Sequence, residues 1–437
     1  MKTLFPKQQE AVDIHLSHLA SRRASLDTSK TGTGKTVVAC AVAKNFRHVC
    51  VVCPKIVIPS WKRELESVGV TPIFVLNYEK LKTGNTPFVE KEGKKKFYWT
   101  VPDDTLVIWD EVHYCKGAMS QNSELLIAAT RKELYNLMLS ATAAKDPTEM
   151  RAIGYALGLH NLTKDTLTQM SWFRWMKRYG CRMDQFRNWV AGPLKYLAEL
   201  NNVLYPEYAV SLRPSDLPSA FMENHVITEP LTFMNTKDIV DAYSSVMSET
   251  LIDLVSGDRQ PEPSILTEIL RARQVVEACK VPETCLLVEQ ALDEGYSTVV
   301  FVSFTDTINM FLRVFPDAAV VRGGQSDTER EANIQAFQNN EKRVLICNSA
   351  AGGTGVSLHD IHGDHPRMTF INPSYNLIEY VQTLGRVHRN GARSHAIQRV
   401  LIAADTIEEE IISAIERKRL QSDTLHTKNP SDTNSKS

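Results

Sequence analysis

The sequence predicts an α/β protein: two tandem doubly wound parallel-sheet lobes with a helical insert between them. Three observations carry that expectation. Short β-branched runs alternate with helical segments from Ala24 to about Leu139, a second series of the same kind begins near Thr298, and the stretch between, from about Lys145 to Val281, is rich in helical pattern. Strands that take turns with helices pair in parallel, because each crossover helix returns the chain to the same edge of the sheet.

In the first series RASLD, HVCVVCP, PIFVLNY, TLVIWDE and YNLMLSAT read as strands, with VVACAVAKNF and SWKRELESV as helices between them. In the second, STVVFVSF, DAAVVRG, RVLICNS, RMTFINP and AIQRVLIA are the strands, and SDTEREANIQAFQ is one of the connections. An N-terminal lobe with a helical extension is expected over residues 1–225 and a C-terminal lobe preceded by helices over 226–420, with the linker around Arg213 to Glu229. The polar, aperiodic QSDTLHTKNPSDTNSKS, residues 421–437, predicts a disordered tail.

A chain of 437 residues suits two or three domains of roughly 100–200 residues, and its 43% apolar content fills their cores. No apolar run approaches the roughly 18 residues of a membrane span, and MKTLFPKQQEAVD lacks the apolar core of a secretory signal. An intracellular, cytoplasmic protein without a membrane partner is expected. The net charge of −1 leaves any nucleic-acid partner to be argued from local motifs. Of eight cysteines only Cys50 and Cys53 form C-x-x-C, and they sit in a strand where residues three apart face opposite sides, so they read as structural.

The stretch DTSKTGTGKT, Asp27 to Thr36, follows the first strand and opens a helix, the context in which a phosphate loop works. Backbone amides and a helix N-terminus face the phosphates, a lysine neutralises charge and a hydroxyl ligates magnesium. Those roles fall to Gly32, Thr33, Gly34, Lys35 and Thr36. Ser29 stands where the pattern has its first glycine, a small residue at the loop entrance. The strand TLVIWDE then delivers Asp110 and Glu111 at its C-terminal end, where Asp110 is placed to hold magnesium with Thr36, and Glu111 to orient an attacking water.

Together these motifs resemble a superfamily-two helicase or translocase with two RecA-like lobes, DEVH matching the DExH box. The resemblance covers most of the chain: LFPKQ is similar to the adenine-reading motif, SAT at Ser140–Thr142 to the coupling motif, and AAGGTGVSL and QTLGRVHRNG to the two second-lobe motifs. VVCPKIVIPSWKRE, NYEKL, HYCKG, FRWMKRYGCRMDQ and RARQVVEACK resemble blocks of the Swi/Snf-like branch, especially its small fork-remodelling, annealing-helicase-like members. Departures are SATA in place of a TGTP-like phrase, Ser29 in place of an acid and Ala392 in place of glutamine. The resemblance implies Gln8 as adenine reader, Gly355 as a further nucleotide contact, and His113, Ser140, Thr142 and Gln382 as coupling residues.

It further implies an ATP-dependent, magnesium-using motor on nucleic acid, most simply a monomer on duplex or forked DNA. The alternatives are a strand-separating DNA or RNA helicase and an ATP-gated subunit that needs a protein partner. Arg386 and Arg389, three apart on a predicted helix, share a face and supply the charge that phosphoryl transfer requires. Groups that hold a nucleic-acid backbone without reading bases are Pro54, Lys55, Ser303, Thr305, Arg322, Gly352, Gly353 and Thr354. Lys94–Lys96 followed by Phe97, Tyr98 and Trp99 form a basic-aromatic loop that reads either as a nucleic-acid contact or as a solvated turn. HDIHGDH, with His359, His362 and His365, lacks the cysteine-rich set of structural zinc.

Overall fold

The first series of runs forms a parallel sheet in the computed structural model, which describes residues 4–184, 189–217, 224–244, 246, 251, 263–349, 356–373, 375–388 and 391–426. In chain order come β1 (Ala24–Asp27), β2 (His48–Cys53), β3 (Phe74–Asn77), the hairpin β4 (Val89–Glu92) and β5 (Lys96–Trp99), β6 (Thr105–Asp110), β7 (Tyr135–Leu139), the small hairpin β8 (Arg182–Met183) and β9 (Trp189–Val190), and β10 (Ala209–Val210). The sheet order is β10-β1-β7-β6-β2-β3. Helices cover both faces, which is why these strands are apolar almost throughout rather than alternating. Cys50, Val52, Val107 and Trp109 enter one core, while Val49, Val51, Cys53, Leu106 and Ile108 enter the other. Cys50 and Cys53 thus face apart, and burial drives both thiols far above the ordinary thiol range.

The second sheet contains β11 (Asn224–Leu231), β12 (Ser297–Val302), β13 (Ala319–Val321), β14 (Val344–Asn348), β15 (Arg367–Ile371) and β16 (Ala396–Ala403). Its order is β11-β16-β15-β12-β14-β13, with every pairing parallel. The chain divides into two compact units, one comprising the residues up to Leu217 together with those from Leu420 onward, the other running from Pro218 to Arg419. Part of the stretch expected as linker is therefore structural: Asn224–Leu231 pairs along its whole length with β16. Pro230 masks it in the sequence, and a proline is tolerated there because the strand lies at the sheet edge.

Two further expectations are corrected. The polar tail is helical to His426, as the end of a helix Glu408–His426; residues 427–437 lie outside the described residues. Ile411 and Ile415 of that helix join the core of the second unit, whereas Leu425 is buried in the core of the first. Asn201 donates to the Leu425 carbonyl at 2.9 Å, Tyr205 Oη to the His426 carbonyl at 3.0 Å, and Lys30 pairs with Asp423. His426 Nε2 donates to the Ala144 carbonyl at 2.6 Å, and burial holds its ring down at about 4. The tail's polar groups find partners remote in sequence, so its composition alone did not show its order.

The basic-aromatic segment is not a loop but part of the β4–β5 hairpin. Phe97 and Trp99 point into the core, Trp99 donating from its indole to the Leu125 carbonyl at 3.1 Å, while Tyr98 faces outward and donates to Glu92 at 2.8 Å. Among the described residues no helix is long and apolar enough to cross a membrane.

The second unit contains a buried ion pair: Lys280 Nζ reaches Glu408 Oε2 at 2.5 Å and the Leu401 carbonyl at 2.9 Å. The Glu408 carboxylate also accepts from Ala403 N at 2.8 Å and from Tyr243 Oη at 3.1 Å. Glu408→Ala leaves the ammonium buried without its partner, a loss of about 3–5 kcal/mol. A fall of roughly 6–20 °C in the melting transition of this unit is expected in calorimetry; an unchanged transition overturns the assignment.

Candidate functional site

Three strands of the first sheet end level with one another. Asp27 of β1 and Asp110 of β6 are both in register with Leu139 of β7, which lies between them. The phosphate loop, the SAT segment and the acidic pair therefore leave the sheet at one height, at the carboxyl ends of the strands where ligands bind in such folds.

The loop is fixed at its entrance. Ser29 N donates to Asp27 Oδ1 at 2.8 Å, and Leu212 N donates to Ser29 Oγ at 2.9 Å. Thr28 N and Lys30 N donate to the carbonyls of Val210 and Leu212, so the loop begins as an extension of the β1–β10 pairing. Further along, Gly32 and Gly34 take left-handed φ values of 83° and 93°. Gln8 Nε2 donates to the Thr33 carbonyl at 2.8 Å while Gln8 Oε1 accepts from Phe5 N at 3.0 Å. A Cβ on Gly34 would lie 2.5 Å from Gln8 Nε2, so the glycine is required by both conformation and space. Lys35 opens the helix Lys35–Ala43, and its ammonium donates back to the Ser29 carbonyl at 2.6 Å. A phosphate is a stronger, charge-assisted partner for that ammonium than a carbonyl is. Thr36 is the next residue, in the first turn.

Asp110 sits on the crevice floor, its Oδ2 accepting from Trp61 Nε1 at 2.7 Å and its carbonyl from Tyr78 Oη at 2.9 Å. Burial, and then the adjacent Glu111 charge, push its carboxyl up to about 6. Glu111 is held at φ 54°, a left-handed conformation rare for a non-glycine residue, at the turn into Val112–Cys115. The ring Nδ1 of His113 lies 3.1 Å from both Glu111 Oε2 and Ser140 Oγ, and Ser140 Oγ accepts from Thr142 N at 3.2 Å. A chain of contacts thus joins Glu111 through His113 to Ser140 and Thr142.

Beyond these, Pro54 and Lys55 follow β2 directly, with Lys55 exposed. In the second unit Ser303 and Thr305 sit between β12 and the helix Thr305–Val314, and Arg322 follows β13. Gln382 is buried in the helix Leu377–Leu384, which ends before Arg386 rather than running through it. Arg386 is buried, its Nη1 donating to the Val356 carbonyl at 3.3 Å. The expected helical face shared by Arg386 and Arg389 is therefore not formed at Arg386; Arg389 itself lies outside the described residues, as do Gly352, Gly353, Thr354 and Gly355. The HDIHGDH loop is closed by Asp360, which accepts from the amides of His362, Gly363 and His365, and no three-residue metal cluster exists among the described residues. Sequence reasoning gave no role to Trp61, Tyr78 or His15. An apolar face on SWKRELES placed Trp61 inward, yet its polar partner lies across the sheet in β6.

The residues fit ATP and magnesium: a cradle with no room for a Cβ, a lysine folded over it, and two crowded carboxylates short of a cation. The profile of the helicase conserved C-terminal domain matches residues 281–391. A putative ATP-dependent RNA helicase of Acanthamoeba polyphaga mimivirus is 30% identical over 95% of this chain and 82% of its own length. The Bacillus subtilis putative ATP-dependent helicase/translocase YwqA is 23% identical over 97% of this chain and 49% of its own, and the chromatin remodelling factor mit1 of Schizosaccharomyces pombe is 28% identical over 34% of this chain and 11% of its own. In fold the chain is similar to S. cerevisiae Dbp5 bound to RNA and ADP BeF3, with TM-score 0.50 and 12% identity over 95% of this chain and 88% of that one. Fold and crevice together define an ATP-hydrolysing nucleic-acid motor with RecA-like lobes. The chain belongs to the superfamily-two helicases and translocases, in their Swi/Snf-like branch.

Asp110→Asn keeps an acceptor for Trp61 and removes the charge beside Glu111. Because the Asp110 carboxyl is raised, its ionisation takes stability away as pH rises through about 6. Without nucleotide, the variant should therefore melt higher than the native chain at pH 7.5, with the gap closing as pH falls towards 5. A pH-independent gap, or none, contradicts this.

Proposed function

We propose that this chain translocates on duplex DNA, driven by ATP, and remodels the duplex or displaces what is bound to it. The register that sets Asp27, Leu139 and Asp110 level is the observation that carries the motor reading, because it converges the phosphate loop, the acidic pair and the coupling segment. The duplex preference is supported by the Swi/Snf-like blocks HYCKG, FRWMKRYGCRMDQ and RARQVVEACK, and by relatives named for chromatin remodelling and DNA excision repair.

Gln8 reads the adenine edge, and Lys35 neutralises the phosphates. Bound magnesium would be held by Thr36 and Asp110 and would offset charge on the phosphate oxygens. Glu111 orients the water for in-line attack, and its contact with His113 passes the state of the site to Ser140 and Thr142. Arg386 and Arg389 supply the positive charge that the spreading phosphoryl charge needs. Pro54, Lys55, Ser303, Thr305, Arg322 and the 352–354 segment hold the track, and Gln382 relays its engagement.

A second reading, strand separation on RNA, is favoured by the name of the mimiviral relative. ATPase turnover measured with plain duplex DNA, forked DNA, single-stranded DNA and RNA separates the two. Stimulation by duplex or forked DNA is expected, and stimulation by RNA alone overturns the proposal. Lys35→Ala should lower stimulated turnover at least about a hundredfold, the scale of a missing electrostatic stabiliser. Turnover within tenfold of the native chain removes Lys35 from the site.

A further inference from the structure

We propose that Arg273 and the hydroxyl of Ser303 form a phosphate clamp for the nucleic-acid track in the second unit, with Glu277 as the residue that positions it. This rests on the motor reading and adds which groups meet the backbone.

The helix Pro263–Cys279 carries Arg273 and Glu277 one turn apart, on one face. That face meets the segment between β12 and the helix Thr305–Val314. The amides of Ser303 and Phe304 open that helix, and free amides in such a place attract an anion. Here they are already taken: Ser303 N donates to Glu277 Oε2 at 2.7 Å and Phe304 N to Glu277 Oε1 at 3.0 Å. Asn348 Nδ2, at the end of β14, donates to the Ser303 carbonyl at 2.8 Å. The Ser303 main chain is thus fully committed within the protein. It fixes the segment and has no amide left for a phosphate.

What remains for an anion is side-chain chemistry. Arg273 Nη2 donates to Ser303 Oγ at 3.3 Å, and its guanidinium lies over the Tyr375 ring at 4.5 Å and near the Phe304 ring at 5.9 Å. Stacking between rings fixes the plane of the guanidinium and leaves its half-exposed edge pointing away from them. Arg273, Phe304, Asn372 and Tyr375 line one cleft, and the buried Asn372 Oδ1 has no partner among the described residues. The cleft therefore has hydrogen-bonding capacity that the protein does not use. It opens at the carboxyl ends of β12 and β15, whose final residues precede Ser303 and Asn372. An arginine beside a hydroxyl, with no base-shaped slot, suits a backbone phosphate of any sequence.

The test is a titration of the full chain with plain duplex DNA, reading half-saturating concentration and saturated ATPase turnover at several salt concentrations. Arg273→Gln should raise the half-saturating concentration about tenfold and flatten the slope of log affinity against log salt by about 0.9, the loss of one phosphate contact. Turnover at saturation should change much less. Arg273→Lys, which keeps the charge, should restore the slope and part of the affinity. Glu277→Ala should weaken affinity while leaving the slope near native, with Glu277→Gln milder because an acceptor remains. A native slope and affinity in Arg273→Gln overturn the clamp, and if that variant does not fold, Arg273→Lys with an altered slope overturns it instead. Failure of the native chain to respond to any nucleic acid overturns the motor reading itself, a separate result.

Discussion

The crevice of the first unit depends on how the chain leaves β1. Asp27, at the end of that strand, accepts from Ser29 N, and Ser29 Oγ accepts from Leu212 N, so the loop entrance is tied to a segment almost two hundred residues later. A glycine at position 29 would supply neither the hydroxyl nor any needed freedom, since the left-handed φ values occur at Gly32 and Gly34 instead. The serine stands where an acceptor is required, and the glycines where the backbone must turn. Loss of the Ser29 anchor would release the turn that presents Lys35, and with it the alignment to Asp110.

Two carboxylates at the same height of the sheet are treated oppositely. Asp27 is deeply buried, which alone would raise its pKa, but hydrogen bonding and charge from His15, and then the Lys35 charge, hold it below the ordinary range. Asp110 has an indole for company and Glu111 beside it, and it is raised to about 6. One acid is already satisfied by the protein and acts as scaffold. The other is left short of positive charge, and a divalent cation is what relieves it. Acids driven apart in this way separate structural from chemical roles.

Much of this was legible in the sequence. Strands buried on both faces leave near-continuous apolar runs, and HVCVVCP and TLVIWDE show them plainly. The phosphate loop and DEVH were legible because their chemistry is local: the residues that act are neighbours in the chain. What was not legible depends on partners far apart. The order of the tail follows from bonds such as Asn201 to the Leu425 carbonyl, and the pairing of Asn224–Leu231 follows from β16, neither of which any window of sequence contains. The aromatics after Lys96 divided by strand alternation, two inward and one outward, once the segment proved to be a hairpin. The helix expected through Arg386 stops at Leu384, where Gly385 follows as the cap.

The same physics separates the two units by task. Amides at the start of a helix attract negative charge wherever they are left open, and a protein that uses one such place for ATP must keep others from competing. In the second unit the opening amides of the helix after β12 are closed by Glu277, whose burial raises its carboxyl while those same amides pull it back down. An internal carboxylate there makes the segment rigid and removes a general anion site. Any grip on a passing backbone must then come from a side chain held at a fixed angle, which is what stacking on Tyr375 gives Arg273. A grip through one planar cation is sensitive to salt and indifferent to base sequence, and a motor needs a hold of that kind, one it can release.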